Sequence, residues 1–267
     1  MSGGSNKQTG EGSRIDIFIP AIEKDLGTLP YVIDSAKKHV QHPIGRIYVV
    51  SPDSARIKSV CRRKGCTFVN ERSLLPITKA DIHYRSKKWD RSGWLYQQLL
   101  KLGGDKLGSQ KHYLVMDADT VLIRPHTFKS GGKPVFYCRK WSQPEYFRTY
   151  SKLMGKKKTA ASSFVTHYML FNKAKVAQLK QKIAAKHGTS WYTAIIRSID
   201  KTKQFGFSEY ETYGNYIHSI QPGQLVIRSA MNKSLSMNAS QVSSARMKEL
   251  AKKYRSISFH KRKCYVR

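Results

Sequence analysis

Apolar positions fall into short runs whose period switches between two and about 3.6, with turn-forming residues between them. Ile15 to Pro20, IDIFIP, alternates apolar and polar and ends in Pro, which suits a first strand. Leu29 to Val40 carries a helical spacing, and GRIYVVSPDSAR then reads as a second strand running into a turn. Ser54 to Lys64 predicts a helix stopped by Gly65, followed by a short third strand in CTFVN. This β-α-β-α-β opening is the signature of a parallel sheet covered by helices. Gly93 to Leu102, GWLYQQLLKL, predicts a helix with Trp94, Leu95, Gln98 and Leu102 on related faces, closed by Gly103 and Gly104. A strand over Tyr113 to Met116 follows.

In the second half, KPVFYC and HYMLFN read as strands, QPEYFRTYSKLM as a helix and KKKTAASSF as a mobile basic loop. Asn172 caps a long helix that Gly188 ends. SEYETYGNYIHSI opens with Ser208 and has Glu211 three residues on, the spacing of a capping box. Ser240 to Arg255 is amphipathic, with Met247, Leu250, Ala251 and Tyr254 at helical intervals. No repeat and no long linker interrupts the pattern. The expected organisation is a flexible leader over 1–14 and one α/β domain over 15–267.

Charge changes the picture most. Lys and Arg number 49 against 17 Asp and Glu, a formal +32 over 267 residues. Such a field gathers anions: nucleic acid, acidic headgroups, acidic glycans or nucleotides. Four scattered cysteines, Cys61, Cys66, Cys138 and Cys264, form no C-x-x-C pair, which points to a reducing compartment. No apolar run approaches the roughly 20 residues that span a bilayer. The polar MSGGSNKQTGEGSR start does not read as a secretory signal. The expectation is a cytoplasmic protein, with charge available to hold it peripherally at a membrane surface.

The candidate chemistry lies in YLVMDADTVLIRP, where Asp117 and Asp119 close the strand from Tyr113. Ten aspartates give roughly 0.4 chance D-x-D pairs, so the spacing alone is a weak signal. Its place is stronger, because ligands in open α/β sheets bind outside the carboxyl ends of the strands. Carboxylates two apart point the same way if the backbone stays extended, and such a pair can hold Mg²⁺ or Mn²⁺ with positions left for phosphate oxygens. The competing reading is a turn in which the aspartates cap backbone N–H groups.

The blocks IDIFIP, RSGWLYQQLLKL, HYLVMDADTVLIRP, FSEYETYGNY and SFHKRK, in that order, resemble metal-dependent glycosyltransferases of the GT-A fold. They look most like a bacterial and viral DUF6492-type group. The resemblance implies a Rossmann-like nucleotide-sugar half over 15–125 and an acceptor half with a C-terminal tail over 126–267. It implies transfer of a sugar from a UDP-type donor to a hydroxyl of a glycan, glycolipid or glycoprotein. Mn²⁺ or Mg²⁺ would be the cofactor, bound directly by Asp119, with Asp117 touching ribose or completing the shell through water. His260 matches a further ligand; the alternative is an exposed histidine in a basic tail.

On the same reading, Pro20, Ala21, Lys24, Asp25, Arg91, Gly93, Trp94, Ala118 and Lys263 would bind donor, with Gln98 and Lys101 on its sugar side. Asp53 would accept from the uracil N3–H, or be a plain turn residue. Glu209 or Glu211 would serve as base if the reaction inverts configuration, Glu209 being preferred because it can project past the helix end. His167, Tyr210 and Tyr213 are acceptor candidates, each with a structural alternative. The charge motivates an acidic or membrane-linked acceptor. A basic nucleic-acid protein or two-metal phosphoryl-transfer enzyme is the rival class. Against it stand the absence of a third acid in a metal block, of a P-loop and of an RNA-binding aromatic signature, so no specific nucleic acid is expected.

Overall fold

The computed structural model describes residues 14–260. All of the proposed leader except Arg14, together with Lys263 and Cys264, lies outside the described residues. The chain opens with β1 (Ile15–Pro20), α1 (Leu29–His39), β2 (Ile44–Ser51), α2 (Ala55–Lys64) and β3 (Thr67–Asn70). Ser54 caps α2 by accepting from Ile57 N, and Gly65 ends it with φ 59°, a left-handed conformation that favours glycine. Helix α3 (Ser92–Gly103) then leads to β4 (His112–Met116).

Beyond β4 come β5 (Thr120–Leu122), β6 (Lys129–Ser130), β7 (Lys133–Cys138), α4 (Pro144–Met154), β8 (Tyr168–Asn172), α5 (Lys173–His187) and α6 (Trp191–Ser198). The chain continues through α7 (Glu209–Ile220), β9 (Val226–Ser229), β10 (Asn232–Ser234), α8 (Ser244–Lys253) and β11 (Ser256–Ser258). The central sheet has the order β3-β2-β1-β4-β8, parallel except for β8, which runs antiparallel to β4. The fold is therefore α/β with a mostly parallel sheet. Strand order reverses between β1 and β4, and such a switch point opens a crevice at the carboxyl ends of the strands.

Alternate side chains feed two cores. Phe18, Tyr113, Val115 and Phe171 pack with Leu95, Leu99, Leu179 and Tyr213 from α3, α5 and α7. Ile17, Ile19, Leu114 and Met116 pack on the other face with Val32, Ile33, Ile57 and Val60 from α1 and α2. Each such side chain contributes about 1.5–3 kcal/mol by leaving water. IDIFIP is buried at every position despite its alternation, and Asp16 Oδ1 accepts from Arg46 N at 2.9 Å.

Two small sheets, β10-β11-β5 and β6-β7-β9, lie beyond the central one. Of their strands β7 alone is legible in the sequence; the other five are two to four residues long, too short for a period to register, and α6 is not expected either. The C-terminal helix is shorter than its amphipathic stretch: Ser243 caps α8 at Ser244, while Ala239–Gln241 forms a separate 3₁₀ turn. At α7 only half of the capping box forms. Ser208 Oγ accepts from Glu211 N at 3.2 Å, whereas the Glu211 carboxylate turns inward. Among the described residues, no helix is long and apolar enough to cross a membrane, and Cys61, Cys66 and Cys138 are free thiols.

Candidate active site

A cleft of about 790 Å³ opens at the carboxyl ends of β1 and β4. Pro20 and Ala21 leave β1 at one side, Asp117, Ala118 and Asp119 leave β4 at its floor, and α3 and α7 form the opposite wall. The aspartates occupy a tight turn closed by Thr120 N donating to Asp117 O at 3.2 Å. The backbone is thus not extended through the pair, yet their carboxylates converge: one ligand atom each from Asp117, Asp119 and His167 lie within 4.8 Å of one another. Three long-range bonds hold the turn. Asp117 N donates to His167 O, Phe259 N donates to Asp119 O, and Thr28 Oγ1 donates to Ala118 O, each at 2.9 Å.

Histidines bracket the carboxylates. His167 Nδ1 lies 3.1 Å from Asp117 Oδ2 and His260 Nδ1 lies 3.0 Å from Asp119 Oδ2. Their rings are 4.9 Å apart. His260 reaches Asp119 because β11 pairs antiparallel with β5, Ser258 opposite Thr120, so the chain leaves β11 beside the turn. An imidazole whose proton sits on Nε2 turns its Nδ1 lone pair toward the neighbouring carboxylate, so a cation entering between them can take both as ligands. The donor set, two carboxylates and two such imidazoles, therefore fits a divalent ion.

Behind the aspartates, Lys101 is only 3% exposed. Its Nζ donates to Asp117 Oδ1 at 2.5 Å and Glu209 Oε1 at 2.7 Å, and lies 4.6 Å from the centre of the Tyr210 ring. Tyr210 OH also donates to Asp117 Oδ1, at 3.1 Å. Burial favours the neutral forms here, but the neighbouring charges oppose it. Burial pushes the Lys101 pKa down, yet Asp117 and Glu209 hold it above its ordinary value. Burial pushes the Asp117 carboxyl up, while Lys101 and His167 hold it well below the usual range. Burial raises Asp119 and His260 reverses that, leaving it lowered. For Glu209 burial wins and the carboxyl is raised despite Lys101.

The cleft brings together Pro20, Ala21, Lys24, Asp25, Gly93, Trp94, Gln98, Lys101, Ala118, His167, Glu209, Tyr210 and His260 with the aspartates. Asp25 Oδ2 accepts from Ile22 N at 2.9 Å, and burial raises its carboxyl to about 6. A Cβ added to Gly93 would meet nothing within 4 Å, so its backbone stays open to the cleft. Gln98 Oε1 accepts from Glu209 N at 3.2 Å and so fixes the start of α7.

Four predicted residues stand apart from the lining. Asp53 is exposed and pairs with Lys58, because it sits in the turn that feeds α2. Arg91 is buried against Trp94, 4.1 Å from its ring, and its Nε donates to Gln204 O at 3.1 Å; it braces a loop. Glu211 accepts from Ser163 Oγ at 2.6 Å and Asn215 Nδ2 at 2.8 Å, so it ties α7 to the loop before β8 and is not placed to act as a base. Tyr213 OH accepts from Asn172 N at 2.9 Å, with its ring 4.3 Å from that of Phe171; this is core packing, not an acceptor contact. Sequence reasoning missed Thr28, Thr166 and Tyr146. Thr28 is 90 residues from the carbonyl it supports, and no local pattern carries that pairing.

The profile of a family described as "Family of unknown function (DUF6492)" matches residues 14–244. No curated protein matches the chain. Among solved structures, it is similar to the galactosyltransferase LgtC in complex with donor and acceptor sugar analogs, at 14% identity and a TM-score of 0.48, over 92% of this chain and 87% of that one. An active-site mutant of LgtC overlaps over the same shares at 14% identity and a TM-score of 0.46. Glucosyl-3-phosphoglycerate synthase from Mycobacterium tuberculosis, solved with Mn²⁺, UDP-glucose and phosphoglyceric acid, overlaps 41% of this chain and 35% of its own at 19% identity and a TM-score of 0.27.

Proposed function

This chain belongs to the DUF6492 family, whose function is unknown, and we propose that it is a GT-A glycosyltransferase moving a sugar from a nucleoside diphosphate sugar to an acceptor hydroxyl. The observation that carries the reading is the convergence of Asp117, Asp119, His167 and His260 at the sheet's switch point, in a cleft large enough for a nucleotide sugar. Asp119 and His260, with His167, would hold a divalent cation. Asp117 would act through water or on ribose, since Lys101 and Tyr210 already engage its Oδ1. Carboxylates suit Mg²⁺ and Mn²⁺ alike, and imidazole nitrogens tip the set toward Mn²⁺. When bound, such an ion neutralises charge on the diphosphate.

The chain's own residues supply the rest. Lys24 stands by the end of β1, where the nucleotide would lie, and adds positive charge there. Lys101 fixes Asp117 and Glu209 in one geometry behind the donor sugar. In the transfer, the acceptor oxygen bonds to the anomeric carbon as the carbon–oxygen bond to phosphate breaks. The electron pair leaves with the nucleoside diphosphate. Glu209, raised by burial and facing the cleft, would take the acceptor's proton in an inverting reaction.

The test combines thermal shift with product analysis. UDP and UDP-sugars with Mn²⁺ should stabilise the protein, EDTA should abolish the effect, and slow hydrolysis of a donor without acceptor should release the diphosphate and free sugar. Release of the nucleoside monophosphate would place the cleft among phosphoryl-transfer enzymes. Stabilisation by DNA or RNA alone, fading with salt, would favour nucleic-acid binding.

A further inference from the structure

Beside the main cleft lies a second chamber of about 260 Å³, and the two share Thr166 and His167. Its wall includes Arg139, Asn232, Ser234 and Ser256, and none of its lining residues is acidic. Arg139 follows β7, and its Nε donates to Val165 O. That is its only side-chain hydrogen bond among the described residues, which leaves both terminal nitrogens without one. A guanidinium offers five donors in a planar fork, a shape that matches carboxylate and phosphate.

The opposite wall is ordered in advance. Asn232 Nδ2 donates to Ser258 Oγ at 2.9 Å, Ser256 Oγ donates to Asn232 Oδ1 at 2.8 Å, and the Ser234 and Ser258 hydroxyls lie 3.2 Å apart. Met231, on the same wall, has φ 46°, an uncommon conformation for a residue other than glycine. Local strain of that kind clusters at ligand sites. Trp141, 53% exposed, lies 5.8 Å from the Arg139 guanidinium and offers a flat apolar face.

We propose that this chamber receives the acceptor sugar by an oxyanionic substituent, a carboxylate or a phosphate, which pairs with Arg139 while the serine hydroxyls bind its ring. His167, common to both spaces, then marks where the attacking hydroxyl enters the donor cleft. The inference rests on the glycosyltransferase reading and adds the chemical class of the acceptor to it. It also gives one local use for a share of the +32 charge, which donor binding alone leaves unexplained.

Methyl glucuronide, glucose 6-phosphate and neutral methyl glucoside would be titrated into the full chain at low salt by calorimetry, with UDP and Mn²⁺ titrated in parallel. One charged probe should bind at least tenfold more tightly than the neutral one, and which one does so identifies the oxyanion. Arg139→Gln should remove the preference, Ser234→Phe should block the chamber from an exposed strand position, and both should keep UDP binding. Lys140→Gln removes the same charge next door and should keep the preference. Equal binding of charged and neutral probes would overturn the proposal. So would a preference that survives both chamber variants, or one lost as fully in Lys140→Gln. Arg139-dependent selectivity in a protein that ignores UDP and Mn²⁺ would instead sink the donor reading and leave the chamber as an oxyanion site.

Discussion

Replacing Lys101 with Met keeps the shape of a buried side chain and deletes the cation between two buried carboxylates. In the variant Asp117 keeps Tyr210 OH and His167 Nδ1, both at 3.1 Å. Glu209 loses its only side-chain partner among the described residues and is 2% exposed. Removing one member of a buried charge network typically costs about 3–5 kcal/mol, because the remaining charge is desolvated without compensation. For a chain of this size each kcal/mol shifts the midpoint by about 2–4 °C, so Tm should fall by about 6–20 °C. Adding Glu209→Gln removes the stranded charge, and the double variant should recover at least about 1 kcal/mol relative to Lys101→Met alone. Urea unfolding followed by circular dichroism measures the parent and both variants. A Lys101→Met protein within about 0.5 kcal/mol of the parent, or a double variant no better than the single, would refute the electrostatic account.

Three further outcomes are expected. Gly214→Ala gains about 1 kcal/mol of helix propensity, but its Cβ would collide with the Phe164 ring; crowding should win, with net destabilisation of about 1–2 kcal/mol in urea melts. His126, fully buried, sits 2.7 Å from Arg124 O and 3.0 Å from Tyr168 OH, and burial lowers its pKa to about 4. Because the unfolded chain takes up this proton near pH 6.5 and the folded one does not, stability falls as pH drops from there to 4. His126→Gln should remove about 3 kcal/mol of that loss, seen as a flatter stability profile. Glu211→Ala should cost about 1–3 kcal/mol in the same melts and leave UDP affinity unchanged, since Glu211 holds Ser163 and Asn215 away from the cleft.

Local patterns carried the opening of the fold well. The switch from period two to helical spacing, with Ser54, Gly65, Asn172 and Gly188 at helix ends, corresponds to real caps and stops. The D-x-D pair was legible because it follows an apolar run, although its turn was not: nothing local distinguishes an extended pair from one closed by Thr120 N. What the sequence could not carry is register over long separations. Lys101 reads as a helix-surface residue until α7, 108 positions later, brings Glu209 against it. His260 joins Asp119 only through the pairing of β11 with β5, and β10 reads as NKS with no apolar signal at all. The misplacement of Asp53 has the same origin, since strand ends locate a cleft but do not say which turn residue faces it.

The central claim is tested most directly by a crystal of the full chain soaked with manganese and UDP, with anomalous differences collected at the manganese edge. The account predicts a strong peak bounded by Asp119, His260 and His167, with the diphosphate beside it and the nucleoside toward Pro20 and Ala21. A manganese peak away from the aspartates, or UDP bound outside this cleft, would contradict it.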